Sequence, residues 1–240
     1  MKKATLSLSF ICILVFLSGC LFPEESRTEN QVPYDDQLQS VQTAVNQFRE
    51  DSGVLPIKTR DEETPIFQKY PVEFRSLVPQ YLQQAPGNSF ENGGIFQYVL
   101  TNVEDEPEVK LIDLRSANGL QELSRRINQY RSQNNFAPVG ELLGSNLLKL
   151  DYEALNFDEE PTVASPFHPT HELPVLLTTS GELVVDYRID IQHFIDEYGM
   201  ENYSEGEDLR WLLVDHSPFV PVHSKPITVK NGEVVFMKES

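Results

Sequence analysis

The stretch LQSVQTAVNQFREDSGVLPI at residues 38–57 recurs, 82 residues on, as LQELSRRINQYRSQNNFAPV at 120–139. No other feature constrains the fold as tightly, because the phrase specifies two helices, their ends and their exits at once. In the first copy Leu38, Val41, Val45 and Phe48 fall on one helical face. Asp36 and Gln39 are spaced as a capping box, each side chain able to satisfy an orphan amide beside the other. Gly53 stands where a left-handed residue ends a helix, and Pro56 prevents the helix from resuming. In the second copy Leu120, Leu123, Ile127 and Tyr130 make the same stripe, Asn118 and Gln121 the same box, and Pro138 the same exit. Asn135 replaces Gly53, and asparagine is the other residue that tolerates the left-handed conformation. Two unrelated amphipathic helices need share only their apolar period. The polar identities Asn46, Gln47 and Arg49 with Asn128, Gln129 and Arg131 exceed that and read as an internal duplication. A helix needs none of these polar residues, so they are expected to contact the hairpin that follows each helix.

Each helix is followed by strand pairs. Phe96–Thr101 and Val109–Leu114 flank the acidic loop Asn102–Glu108, and Leu173–Thr178 and Glu182–Tyr187 flank Thr179-Ser180-Gly181. A third, degenerate copy follows. Ile191, Phe194 and Tyr198 carry helical spacing that Gly199 stops, EDLRWLLV at 207–214 echoes EFRSLV at 73–78, and two β-rich runs bracket Asn231-Gly232, the strongest two-residue hairpin signal. The expected fold class is therefore α+β, with tandem helix–loop–β-hairpin units whose antiparallel sheet packs on helices. The boundaries read as 35–117, 118–190 and 191–240, the last being the degenerate unit.

Ahead of these units the chain carries an address. Met1-Lys2-Lys3 is basic, an apolar run extends from Leu6 to Leu17, and the run ends in Leu17-Ser18-Gly19-Cys20. A run this short with small residues before its end is a signal peptide, not a membrane span. The final four residues resemble a bacterial lipobox, which implies cleavage after Gly19, so that 1–19 is removed, and lipidation of Cys20. Palmitate-class acyl chains on that cysteine would hold the protein on the extracytoplasmic face of the cell membrane. Residues 20–34 then form a polar, proline-bearing tether able to reach roughly 45 Å. The one other cysteine, Cys12, falls inside the signal peptide, so no thiol nucleophile, thiolate metal site or disulfide is expected after processing. Without Lys2 and Lys3 the mature chain has 17 basic and 37 acidic residues, a net charge of −20. Such a surface repels phosphate backbones, which argues against nucleic-acid partners.

Catalytic and cofactor signatures are thin, and neither a catalytic set nor a cofactor is expected. His168-Pro-Thr-His171 could bring two imidazoles to one ion, but Pro166, Pro169 and Pro174 place it in an extended loop, and a solvated loop is the default reading. His193, His216 and His223 are scattered and could join only through the fold. The acidic clusters Glu104-Asp105-Glu106, Asp158-Glu159-Glu160 and Glu205–Asp208 read as solvated turns, since no calcium-loop spacing shapes them. Trp211 reads as core. No Gly-x-Ser-x-Gly elbow or phosphate-cradling loop is present, and Gly93-Gly94 reads as a turn entering a strand.

From Leu17-Ser-Gly-Cys20 through TENQVPYDDQLQSVQTAVNQF to PGNSFENGGIFQYVL, the chain resembles an uncharacterised group of Bacillus-type lipoproteins. Some members of that group carry the name of a periplasmic binding component of an ABC transporter. Over 44–98, the helix ending at Gly53 and Pro56, followed by Leu77-Val-Pro79, Tyr81-Leu82, Pro86, Asn88, Gly94 and Tyr98, is similar to the globular part of type II secretion pseudopilins. That second resemblance implies a helix, a loop and a small sheet; a pilin-type leader and a recognisable calcium loop are missing. The reading favoured by the sequence is a non-enzymatic envelope lipoprotein that binds a protein or envelope component. Its alternatives are a solute-binding lipoprotein of an ABC transporter and an envelope hydrolase.

Overall fold

In the structure, a computed structural model, residues 34–143 and 146–238 are described. The expected signal peptide, Cys20 and most of the expected tether lie outside them. The elements follow in the order α1 (Tyr34–Ser52), α2 (Phe74–Leu77), β1 (Phe96–Thr101), β2 (Glu108–Asp113), α3 (Arg115–Asn134), β3 (Val139–Leu142), β4 (Leu147–Leu150), β5 (Thr162–Ala164), β6 (Glu172–Thr178), β7 (Leu183–Val185), α4 (Arg188–Tyr198), α5 (Arg210–Asp215), β8 (Ile227–Lys230) and β9 (Glu233–Phe236). All strand ladders are antiparallel and the class is α+β. β1 pairs with β2 and β8 with β9, while β3, β4, β6 and β5 line up in that order with β7 also on β6. Each expected hairpin is present. Asn231 and Gly232 both take positive φ, as the tight turn between β8 and β9 demands.

The two copies of the phrase begin differently from the expectation and end as expected. Asp36 and Asn118 lie inside their helices and cap nothing from outside. α3 starts earlier because Asp113, the last residue of β2, accepts the Arg115 N–H at 2.9 Å. At the far end Gly53 and Asn135 have φ of 72° and 65°, and each N–H donates at 2.9 Å to the carbonyl of a matched arginine, Arg49 or Arg131. The exit prolines also match. Pro56 and Pro138 carbonyls accept from Glu73 N–H at 2.7 Å and Asp151 N–H at 2.9 Å, each closing a short antiparallel pairing. The arginines reach the next hairpin's turn: Arg49 donates to the Asp105 carbonyl at 3.3 Å, and Arg131 Nη1 lies 3.2 Å from where a Cβ on Gly181 would sit.

A second joint recurs that the sequence reading passed over. Asp113-Leu-Arg115, Asp186-Tyr-Arg188 and Asp208-Leu-Arg210 each precede or open a helix. In every case the aspartate accepts the arginine's own N–H and its Nε and Nη2 protons, a fork-on-fork pair closed over two residues. Glu73 accepts Arg75 N–H at the start of α2 in a simpler version. Asp208 is thus a clamp residue and not part of a solvated acidic turn. Arg188 and Arg210 also cover the rings of Phe236 and Phe67, at 4.7 and 5.1 Å.

Two large apolar clusters dominate the described residues, and a smaller one, with Phe67, Val99, Ile112, Val214, Val220 and Val222, draws on both halves of the chain. Val41, Val45, Phe74, Leu77, Tyr98, Leu100 and Leu111 form one cluster in the first segment. A second gathers Leu120, Leu123, Ile127, Leu173, Val175, Ile191, Phe194, Leu213 and Ile227, so the expected units 118–190 and 191–240 share one interior. α4 turns Ile191 and Ile195 into that cluster, and β8 adds Ile227 and Val229 to it, so the two expected units bury their apolar faces against each other. The two bodies meet where Leu111 bridges to Phe219, with Leu111 N–H donating to Pro218 and Val220 N–H to Leu111. Phe219 wedges between Tyr34 and Phe96 at 5.4 and 5.7 Å. Trp211 is half-buried against Phe67 at this junction, on the core side as expected.

The string PGNSFENGG at 86–94 has a packing explanation. A Cβ on Gly94 would meet the Asn88 backbone at 2.1 Å, and Asn88 Oδ1 accepts the buried Tyr98 hydroxyl at 2.7 Å. Gly94 is a close-approach glycine as well as part of a turn. Gly94→Ala should therefore destabilise the chain by about 3 kcal/mol or more, measured as a fall in urea midpoint. Asp186→Ala, which removes both a cap and the partner of a half-exposed arginine, should cost about 2–3 kcal/mol in the same measurement. Asp186→Asn, retaining the backbone contact, should cost less.

Candidate functional site

Titratable groups concentrate where the β5–β6 loop folds over the first turns of α4. Ser165 leaves β5, and its N–H donates to the His171 carbonyl at 2.9 Å, closing the loop base. Its hydroxyl oxygen accepts the Phe167 and His168 N–H groups at 2.9 and 3.2 Å, which turns the chain where Pro166 and Pro169 forbid a helix. The hydroxyl proton points down to Asp190 Oδ2 at 2.7 Å, and His171 Nδ1 meets Asp190 Oδ1 at 2.6 Å. Asp190 is fully buried, so one carboxylate at the start of α4 pins both ends of the loop.

Three imidazoles follow from this pinning. The His168 ring stacks on His171 with centres 3.8 Å apart and planes inclined by 22°. His193, three residues after Asp190 on the same helical face, presents its ring 4.8 Å from His168 and 5.7 Å from His171. His168 Nδ1 lies 3.3 Å from Thr170 Oγ1 and 3.4 Å from the Thr170 backbone nitrogen. Burial pushes the Asp190 carboxyl above the usual range, against the lowering effect of hydrogen bonds from His171 and Ser165. Desolvation, and then the neighbouring His171 and His193, hold His168 below its ordinary value.

This arrangement does not make a nucleophile relay. The Ser165 proton is given to the carboxylate and not to an imidazole, so the aspartate stands between serine and histidine instead of behind the histidine. What it does produce is one imidazole, His171, whose Nδ1 is fixed by a buried acid and whose Nε2 is left to other partners. Among the described residues, no three His, Cys, Asp or Glu side chains are already gathered into a metal-holding group.

Of the residues singled out from sequence, His168 and His171 come together and His193 joins them. His216 instead stacks on Tyr198, at 3.9 Å, further along α4. His223 occupies a positive-φ turn, where its carbonyl accepts Val185 N–H at 2.8 Å. Glu104-Asp105-Glu106 lies in the β1–β2 turn and Asp158-Glu159-Glu160 in the connection between β4 and β5. Leu17, Ser18, Gly19 and Cys20 lie outside the described residues. Asp190 and Ser165 were missed by sequence reasoning. A signal for Asp190 existed, because an acid beside Ile191 on the buried stripe of RIDIQHF is costly unless a partner reaches it.

His168 and Asp190 set a pH dependence. His168 has a folded pKa below its ordinary value, so its contribution to stability is fully present above about 6.5 and is lost as pH falls through the folded value. Asp190, raised by burial, works with the opposite sign, its contribution being lost as pH rises through its elevated value. The His168 contribution should lower the urea midpoint as pH falls below about 6.5, and His168→Gln should remove that part of the pH dependence.

Against known proteins, residues 34–113 match the family model of the YphF family N-terminal domain. The match covers one body of the fold, α1 through β2, and stops at the aspartate that caps α3. It does not extend to the histidine cluster. No curated protein and no solved structure matches the chain.

Proposed function

We propose that this chain is a lipid-anchored protein of the extracytoplasmic face of the cell membrane, whose folded part binds a protein or envelope component without catalysing a reaction. The observation that carries the reading is Cys20 directly after Leu17-Ser18-Gly19 at the end of a short apolar run. The first described helix starts at Tyr34, and the sequence between Cys20 and that helix is polar and proline-bearing. No helix among the described residues is long and apolar enough to cross a membrane. A strongly acidic surface, at a net charge of −18 for the full sequence, suits a body held off an anionic bilayer.

Two features favour binding over hydrolysis. The Ser165 hydroxyl already serves two backbone N–H groups and a carboxylate, which leaves it a poor nucleophile. A surface cleft of about 720 Å³, bordered by Lys58, Glu73, Phe74, Arg75, Gln84 and Glu91, belongs wholly to the first body. A solute-binding role in a transporter is the second reading, and this cleft is the feature that speaks for it. The matched left-handed helix stops, exit prolines and hairpin-directed arginines of the two helices support descent of 34–113 and the segment after Asp113 from one duplicated unit.

Expression with a clickable palmitate analogue should label the wild-type chain and leave it in the membrane fraction. Cys20→Ser should lose the label and release the protein in soluble form. A Cys20→Ser protein that remains in the membrane, labelled as before, would remove the anchor from this reading.

A further inference from the structure

We propose that the cavity between the β1–β2 turn and α5 is a docking pocket for an arginine side chain of a partner protein, formed by Tyr70, Thr101, Glu104, Asp105 and Trp211. The inference rests on the binding role argued above and deepens it by naming the chemistry of the partner.

Both halves of the chain build the pocket. Ile66 and Tyr70 come from the segment before α2, residues 101–105 from the end of β1 and its turn, and Trp211 from α5. At about 260 Å³ it falls below the roughly 300–1,000 Å³ of pockets that enclose a whole small-molecule ligand. It suits one long side chain delivered by a larger partner. Ile66 is 49% exposed at its edge, which leaves apolar surface for that partner to cover. Charge selects the side chain. The charged lining residues are Glu104 and Asp105, and neither carboxylate forms an ion pair among the described residues. They repel an anion and gain nothing from a neutral group, whereas a cation offsets both. The chain's own bases nearby leave that demand open. Lys69 Nζ lies 6.0 Å from the Tyr70 ring centre, at the outer limit of a cation–π contact, and Arg49 donates to the Asp105 carbonyl instead of its carboxylate.

A guanidinium answers this lining better than an ammonium. Its flat, weakly hydrated face lies against Trp and Tyr rings while its edge donates to carboxylates. The same aromatic group already holds one guanidinium, since Arg210 covers Phe67 at 5.1 Å and Trp211 meets that ring in a T-shaped contact. Thr101 is the independent sign of a missing donor. It is 4% exposed, and its Oγ1 has no hydrogen-bond partner among the described residues. Alternation along β1 places it on the face of Val99, which packs with Phe67 and Trp211, and not on the face of Tyr98 and Leu100. The hydroxyl is therefore directed toward the pocket that Thr101 lines. A buried hydroxyl without a partner is costly, and a guanidinium N–H donating to Oγ1 removes that cost on docking.

The test uses the full chain in nonionic detergent, where Trp211, the one tryptophan of the sequence, reports on the pocket by its own fluorescence. L-Argininamide should change that emission saturably, and an acetylated, amidated Gly-Arg-Gly peptide should do the same. L-Citrulline amide, which has the same shape without the charge, should bind about tenfold more weakly or worse. Glu104→Gln combined with Asp105→Asn should weaken argininamide binding by about tenfold. Both are exposed turn residues, so the urea midpoint of that variant should match the wild type. Thr101→Val should also weaken binding, by about threefold or more, and leave the midpoint unchanged or raised, because its hydroxyl has no partner to lose. Cys20→Ser should bind the peptide as the wild type does, so failure of the anchor and failure of the pocket are told apart. Absence of a saturable response to argininamide, equal binding of citrulline amide, or binding undiminished in both pocket variants would overturn the assignment. A response to argininamide without one to the peptide would overturn the partner side chain as its occupant.

Discussion

Three times in this chain an aspartate closes on the arginine two residues ahead of it, and in each case a helix begins there. The fork-on-fork pair satisfies an otherwise orphan amide of the helix and neutralises a charge that burial would make costly. Because Asp113 is the last residue of β2 and Asp186 follows β7 directly, the clamp also fixes the angle at which each helix leaves its hairpin. α3 and α4 can then present their apolar stripes to one shared interior. Were the helix starts free to fray, the packing of Leu120 and Ile191 against the five-stranded sheet would have no fixed register.

The junction between the two bodies depends on a related economy of backbone groups. The outer edge of β2 would expose unpaired N–H and C=O groups, yet residues 218–220 lie beside it and exchange hydrogen bonds with Leu111. Lys110 adds donations to the carbonyls of Val214 and Ser217, at 2.7 and 3.2 Å, joining the hairpin to the end of α5. The first body alone matches a known family domain, and the later part of the chain supplies the strand edge that completes it.

The histidine cluster follows from the same constraint at a smaller scale. Asp190 is drawn below the surface by the stripe it shares with Ile191 and Phe194, and a buried acid must recruit partners. Ser165 and His171 answer that demand, and by doing so they fold the proline-rich loop over α4. His168 and His193 are then brought near His171 by the geometry of the loop and the helical repeat. An arrangement with the chemistry of a site thus stems from the satisfaction of one carboxylate.

Much of the fold was legible before any coordinates. Helical stripes, the left-handed stops at Gly53 and Asn135, the exit prolines and the Asn231-Gly232 turn are local events, decided by backbone sterics and by spacing within a few residues. The capping boxes misled because Asp113, earlier in the chain, competes better for the start of α3. The short strands β3, β4 and β5 carry too few residues for a periodic signal and exist because β6 and its neighbours need their backbone groups paired. The sequence by itself determined where helices and hairpins stop, that the chain is α+β, and that the arginines of the repeated phrase had work beyond their own helix. Only the tertiary structure decided that two expected units share one core, that Asp208 is a clamp, and that His193 stands beside His168 and His171. Those outcomes depend on which apolar faces and which buried charges meet across tens of residues, and no local spacing encodes that meeting.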